Sequence, residues 1–377
     1  MEDGPGNSRH YPFLTDAVTE DGGTGYSGGL AAYLTLRLVD QIASDDRSKG
    51  LDYQIKATRE FLEDVYPQTT EALLLKEVVE GAAAAAPMES GGLGHVISPV
   101  CRYARYLEQE GWLEQALDVV ETGLALGGDD EAAMTVWRGN LLLQLARPIE
   151  AMFAFKDGLA KAQVSGDEHH ALFARLGWGR ALIAQNQDAA AAEMLDEVRT
   201  TAESVGDNLV EGEACCCLGE IALREKRLPE AKELLHGGLT LLSNCPDAAF
   251  FMLGLGVQLK NLQSYDSAER VLNEVYSSCE IPRIRTEAAI HMIHVVALCD
   301  DQLGFKRWCA QADGDVAPSL EVLRELAIGR GEAHFGRSKV AAQHIRKARR
   351  IAAANDLERL QVEAEEVLRG LGDRTTT

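Results

Sequence analysis

The stretch Gly219–Gly238, GEIALREKRLPEAKELLHGG, decides the fold. A small residue opens it, a helical run follows, and Leu-Pro-Glu-Ala at 228–231 turns into a second helix. Gly219, Ala231 and Gly238 stand twelve and then seven residues apart, and that interval recurs along most of the chain. Small residues at a fixed interval between helical runs mark stacked helical hairpins, because one hairpin cannot bury its apolar face alone.

Working outward, the copies are Ala104, Ala116 and Gly123 with Trp112 at the turn, then Gly139, Ala151 and Gly158 with Pro148. Gly179 and Ala191 form the third, and Gly256 and Ala268 the fifth. Ala297 with Cys309 is a weaker sixth, and Gly329, Ala341 and Ala348 the seventh. The expectation is that the two helices of a hairpin cross at the first two small positions. The third small position then meets the next hairpin. Leu142, Phe155, Leu182, Leu195, Leu234 and Leu272 are candidates to fill the remaining core, where a badly mismatched site costs ~2–5 kcal/mol. The run Leu357–Leu368 reads as a capping helix with an acidic outer face.

Upstream, residues 1–27 read as a polar, flexible arm interrupted by His-Tyr-Pro-Phe-Leu at 10–14, an apolar patch able to dock. The run GGTGYSGG at 22–29 has no Lys followed by Ser or Thr and no preceding strand, so it reads as linker, not phosphate loop. Three helical runs, Leu30–Ile42, Leu51–Tyr66 and Thr70–Ala86, predict a small bundle over 28–86. Pro87 and the glycines at 91, 92 and 94 make 87–96 a linker. The hairpin array then covers 97–354, and 355–377 is a capping helix and tail.

Composition agrees with an all-α class. Of the 377 residues 46% are hydrophobic but only 6% aromatic, while 35 glycines and 10 prolines suit many short helices. The formal charge of −22, from 59 acidic and 37 basic residues, argues against general binding to a phosphate backbone. Eight cysteines show no paired ligand spacing, and Cys215, Cys216 and Cys217 are consecutive on a helical run, which favours reduced thiols. The opening MEDGPGNSRH lacks a basic segment and apolar core, and no apolar run nears the ~20 residues of a membrane helix. A cytoplasmic location is the expectation.

The small residues at these positions, with the turns GWLEQA, RPIEA, RLPEA and SYDSA, resemble the tetratricopeptide repeat (TPR) family over roughly 97–354. Spacings of 35 to 41 residues between the first six copies exceed the family's usual ~34 and look more like bacterial sensor arrays. The resemblance implies a right-handed superhelix of about seven hairpins. It also implies a concave groove lined by first helices, a peptide or protein as partner, and no enzymatic activity. The ninth position of each unit would face that groove: Arg105, Asn140, Arg180, Glu220, Val257, Leu298 and Arg330. One turn on lie Gln109, Gln144, Arg224, Asn261 and Gln302, with Lys260 beside Asn261. The cations among these predict a locally positive groove for an acidic peptide or a C-terminal carboxylate, arginine being suited to paired hydrogen bonds. Solvated arginines paired with nearby glutamates are the plainer account. The family's chaperone-tail clamp is not reproduced, since only Asn140 fits it.

Other candidates carry less. His291 and His294, three apart with Asp301 and His334 in range, could be zinc ligands, although core or groove histidines fit as well. The cysteine triplet reads as packing before redox sensing. Arg330–Arg350 holds Arg337, Lys339, Arg346, Lys347, Arg349 and Arg350 against Glu332, a solvated basic face or a contact for an acidic partner. No cofactor or metal is implied. The reading is a non-enzymatic scaffold binding a partner's peptide. The alternatives are a peptide-responsive regulator whose layout resembles the Rap type, or a constitutive subunit of a larger assembly.

Overall fold

The structure, a computed structural model, describes residues 10, 12–15, 25–44, 50–64, 69–86, 93–128, 130–243, 245, 248–314, 316–355 and 357–373. Among these residues every regular element is a helix. The expected helix end at Val65–Pro67 and most of the 87–96 linker lie outside them.

Helix α1 (Pro12–Thr15) is followed by α2 (Gly25–Ala43), α3 (Leu51–Asp64) and α4 (Thr70–Ala85). Seven hairpins come next: α5 (Gly94–Glu110) with α6 (Leu113–Leu126), α7 (Glu131–Gln144) with α8 (Pro148–Ser165), and α9 (Glu168–Ala184) with α10 (Asp188–Val205). Then come α11 (Asn208–Arg224) with α12 (Leu228–Leu242), α13 (Ala249–Asn261) with α14 (Tyr265–Ser278), and α15 (Pro282–Leu298) with α16 (Gln302–Gln311). The last is α17 (Pro318–His334) with α18 (Ser338–Ala354), capped by α19 (Glu358–Asp373).

The hairpins share one turn. A residue with left-handed φ closes each first helix: Gly111, Ala146, Asn186, Lys226, Gln263, Asp300 and Gly336. The next amide returns to the carbonyl five residues back, as in Arg147 to Leu142 (2.8 Å), Arg227 to Ala222 (2.8 Å) and Asp301 to Val296 (3.0 Å). This bond satisfies a carbonyl that the ending helix leaves unpaired. Five of the seven residues are not glycine, so the turn leaves no glycine signature in the sequence.

The glycines serve the hairpin interior instead. A Cβ on Gly139 would lie 2.6 Å from the Phe155 ring, and Gly219, Gly256 and Gly329 would meet Leu235 (2.8 Å), Leu272 (2.6 Å) and Ile345 (2.4 Å). The closest neighbour is thus sixteen residues on, one turn past the alanine that sequence spacing selects. Leu235, fully buried, fills the place expected of Leu234. The third small position also differs from expectation. Gly123 does meet Met134 of the next hairpin (2.4 Å), but Gly158 faces Val136 (3.1 Å) and Gly238 faces Cys216 (2.8 Å), both on the first helix of their own hairpin. In the weak sixth hairpin, buried Trp308 packs edge-on against Tyr276 at 4.9 Å beside half-buried Cys309.

Two compact units divide the chain, one of residues 1–108 and 112–181, the other of 109–111 and 182–377. In the first, α2 packs on α3, α4 and α6 around Leu36, Leu75, Val100 and Tyr103. The 22–29 run is not all linker: Gly25–Gly29 belong to α2. Helical glycines cost about 1 kcal/mol each against alanine, and the buried Ala31, Ala32, Leu36 and Val39 that follow offset this. Nor is the 1–27 arm free throughout, since α1 packs on α2 and α6. In the second unit one core gathers Leu235, Leu272, Ile293 and Val296, and another joins α17, α18 and α19 through Leu326, Ile345, Ala348 and Ala364.

Candidate functional site

The first helices of the hairpins carry most of the expected groove residues, and each unit arranges its share differently. In the first unit, Glu108 on α5 accepts from Trp137 Nε1 (2.8 Å) and from Gln144 Nε2 (2.8 Å), both on α7. The Arg105 guanidinium lies 5.7 Å from the centre of the Trp137 ring. Asn140 and Arg180 are half-buried on α7 and α9.

In the second unit, Glu220 takes hydrogen bonds from Arg224 (2.9 Å) on its own helix and from Gln258 (2.9 Å) on α13. Arg224 also donates to the Ile183 carbonyl (2.9 Å) and pairs with Asp188 (3.1 Å). Local carboxylates therefore hold this arginine. Gln109 is half-buried and Asn261 exposed. Gln302 departs from its expected place: it is the first residue of α16, a second helix, and is exposed. The register slips here because the left-handed turn residue Asp300 follows Ala297 by three residues, whereas Ala146, Lys226 and Gln263 follow Gly139, Gly219 and Gly256 by seven.

Lys260, His291, His294 and Arg330 come together. They sit on three successive first helices, α13, α15 and α17, and all are half-buried. Burial pushes the Lys260 ammonium below its ordinary range, the Arg330 charge pushes the same way, and Glu363 opposes both. His291 is pushed down to about 3, first by burial, then by Lys260, His294 and Arg330. His294 is likewise pushed down to about 3, by burial, then by Lys260, Arg330 and His334. Both imidazoles are therefore neutral at pH 7, each with one donor and one acceptor nitrogen. Arg330 donates to Glu363 on the capping helix at 2.7 Å. The expected acidic outer face of that helix thus turns one carboxylate inward, and Glu363 and Gln258 are site residues that spacing alone did not nominate.

Chemically, this cluster offers an ammonium, a guanidinium and two neutral imidazoles against one carboxylate. Such a surface donates hydrogen bonds and favours an anion.

No family model matches the chain, and no curated protein matches it either. Among solved structures it is similar to a Rap protein complexed with competence and sporulation factor, at 11% identity and a TM-score of 0.48, covering 92% of this chain and 98% of that one. The apo form of RapI is similar at 11% identity and a TM-score of 0.44, with 90% and 99% covered. A tetratricopeptide repeat protein from Parabacteroides merdae is similar at 14% identity and 0.39, with 71% and 98% covered. Seven left-handed turns and the close glycine contacts inside the hairpins are the chain's own marks of stacked helical pairs. This is an all-α array of TPR-like hairpins.

Within the TPR-like array the other candidates resolve as follows. Among the described residues no group of three or more His, Cys, Asp or Glu could hold a metal ion. His291 and His294 face cations, Asp301 caps α16 through the Leu303 and Gly304 amides (3.1 and 2.9 Å), and His334 pairs with Asp300 (2.8 Å). Cys215, Cys216 and Cys217 are buried, and burial raises the first two thiols above their ordinary range. The basic stretch is partly spent in ion pairs: Arg337 with Glu332, and Lys347 with Glu321 (3.0 Å) and Glu325 (2.8 Å). No described helix is long and apolar enough to cross a membrane.

Proposed function

We propose that this chain is a non-enzymatic interaction scaffold that receives a peptide segment of another protein on the first-helix face of its second unit. The segment carries a carboxylate, either acidic side chains or a free C-terminus. The observation that supports this reading is the meeting of Lys260, His291, His294 and Arg330 in a chain of net charge −22. Burial first and then the Arg330 charge disfavour the Lys260 ammonium beyond what Glu363 offsets, so part of the binding energy is the relief that a further anion brings. Neutral histidines add donors without adding repulsion.

The test is fluorescence anisotropy of the full chain with a library of short acidic peptides, each with a free or an amidated C-terminus. Saturable binding is expected, weakened at least ~10-fold by Lys260→Glu or Arg330→Glu, about 1.4 kcal/mol. Binding that both reversals leave unchanged would sink the reading.

A second reading has its own observation. On α8, Ile149 and Phe153 are 59% and 62% exposed one turn apart, an apolar outer face suited to a permanent neighbour in an assembly. Sedimentation of Ile149→Glu/Phe153→Glu against the parent chain discriminates: loss of an associated species favours the assembly subunit.

A further inference from the structure

His10 is 1% exposed and lies between two carboxylates. Its amide donates to Asp118 Oδ1 (3.1 Å), ring Nδ1 is 2.7 Å from Asp118 Oδ2, and ring Nε2 is 3.0 Å from Asp40 Oδ2. An ionised carboxylate only accepts, so both ring nitrogens must donate. A neutral imidazole would set a lone pair against one of the carboxylates. Three residues on, Phe13 is 4% exposed and stacks on Tyr103 of α5, centroids 6.3 Å apart. The Tyr103 hydroxyl donates to Glu71 of α4 (2.9 Å). His10 itself has a φ of 68°, a conformation a non-glycine residue keeps only where its surroundings impose it.

Asp40 lies in the last turn of α2 in the N-terminal bundle, whereas Asp118 lies on the second helix of the first hairpin. One side chain therefore bridges two elements that meet only through tertiary packing. We propose that His10 and Phe13 form a clasp, closed by an imidazolium, that pins α2 to α6 and opens when the ring gives one proton to solvent base.

Burial alone would lower the affinity of this ring for its proton. The hydrogen bonds to Asp118 and Asp40, and then their charges, override it and raise His10 to about 9. The groups facing the ring are Asp40 and Tyr33 on α2, the latter edge-on at 6.4 Å with Arg37 over its own ring, and Asp118 on α6. The contribution is therefore present below the ordinary value of 6.5 and is lost as pH rises through about 9.

The experiment is limited subtilisin digestion of the full chain from about pH 7 to 10.5, with cuts between residues 10 and 15 mapped by mass spectrometry. The parent chain should resist cutting at neutral pH and yield with a midpoint near 9. Asp118→Asn should lower that midpoint, and His10→Gln should be cut already at neutral pH. A segment equally protected in His10→Gln, or still protected in the parent chain at the alkaline end, overturns the clasp. Should a substitution unfold the chain, nitrogen shifts of the parent's His10 ring decide it. Two protonated nitrogens near pH 7.5 support the clasp, and a neutral tautomer there rejects it.

Discussion

His10 in the first unit and the pair His291 and His294 in the second are enclosed histidines with opposite protonation. The first is raised to about 9 and the others are pushed down to about 3. Burial acts on all three in the same direction, against the charged ring. The neighbours decide the difference. Asp40 and Asp118 bracket His10, whereas Lys260 and Arg330 stand by the pair. A histidine's depth in a helical array therefore says little about its role until the charges on adjacent helices are known.

That contrast can be broken most directly with acid. The unfolded pair takes up protons below its ordinary 6.5, while the folded pair resists until about 3, so stability falls as pH drops through this window. The expected loss by pH 4 is on the order of 3 kcal/mol per histidine before solvent screening. Calorimetry of the parent chain and of His291→Asn/His294→Asn checks this. A double variant with the same acid profile as the parent rejects the account.

Removing one carboxylate from the other region should cost somewhat less, about 2 kcal/mol at pH 7 for Asp118→Asn, since Asp40 still faces the ring. Denaturant unfolding at pH 7 and pH 10 measures it. The difference from the parent should shrink at pH 10, where His10 is neutral in both.

Lys260→Met isolates the second environment. Without the ammonium, both His291 and His294 should titrate higher, by about one unit, which proton-detected titration of the full chain reads directly. Unmoved titration would mean that burial and Arg330 hold the pair neutral without help from Lys260.

The smallest effect serves as a control. Lys226→Gly relieves a left-handed residue at a hairpin turn distant in sequence from both regions and should stabilise by ~0.5–1 kcal/mol with no change in pH profile.

Much of the architecture is legible in particular residues of the sequence. Gly139, Gly219, Gly256 and Gly329 recur because a Cβ at each would strike a large core side chain. The capping helix is legible because Leu357, Leu360, Ala364 and Leu368 recur at helical spacing among acidic residues. Other features lack a local signal. The turn residues Ala146, Lys226 and Asp300 adopt a conformation that their identity does not announce. Glu363 lies thirty-three residues from its partner Arg330, and only packing of α17 against α19 brings them together. The docking of His10 spans 108 residues to Asp118.

By itself the sequence determined that this chain is helical, that its helices pair into hairpins, and roughly how many pairs there are. Close helix approach requires small side chains at intervals, and intervals are written along the chain. Only the tertiary structure decided which ionisable groups confront one another, because that depends on which faces of separate helices come together. Arg224 is thereby matched to carboxylates, Lys260 is left beside Arg330, and three enclosed histidines divide into one cation and two neutral donors.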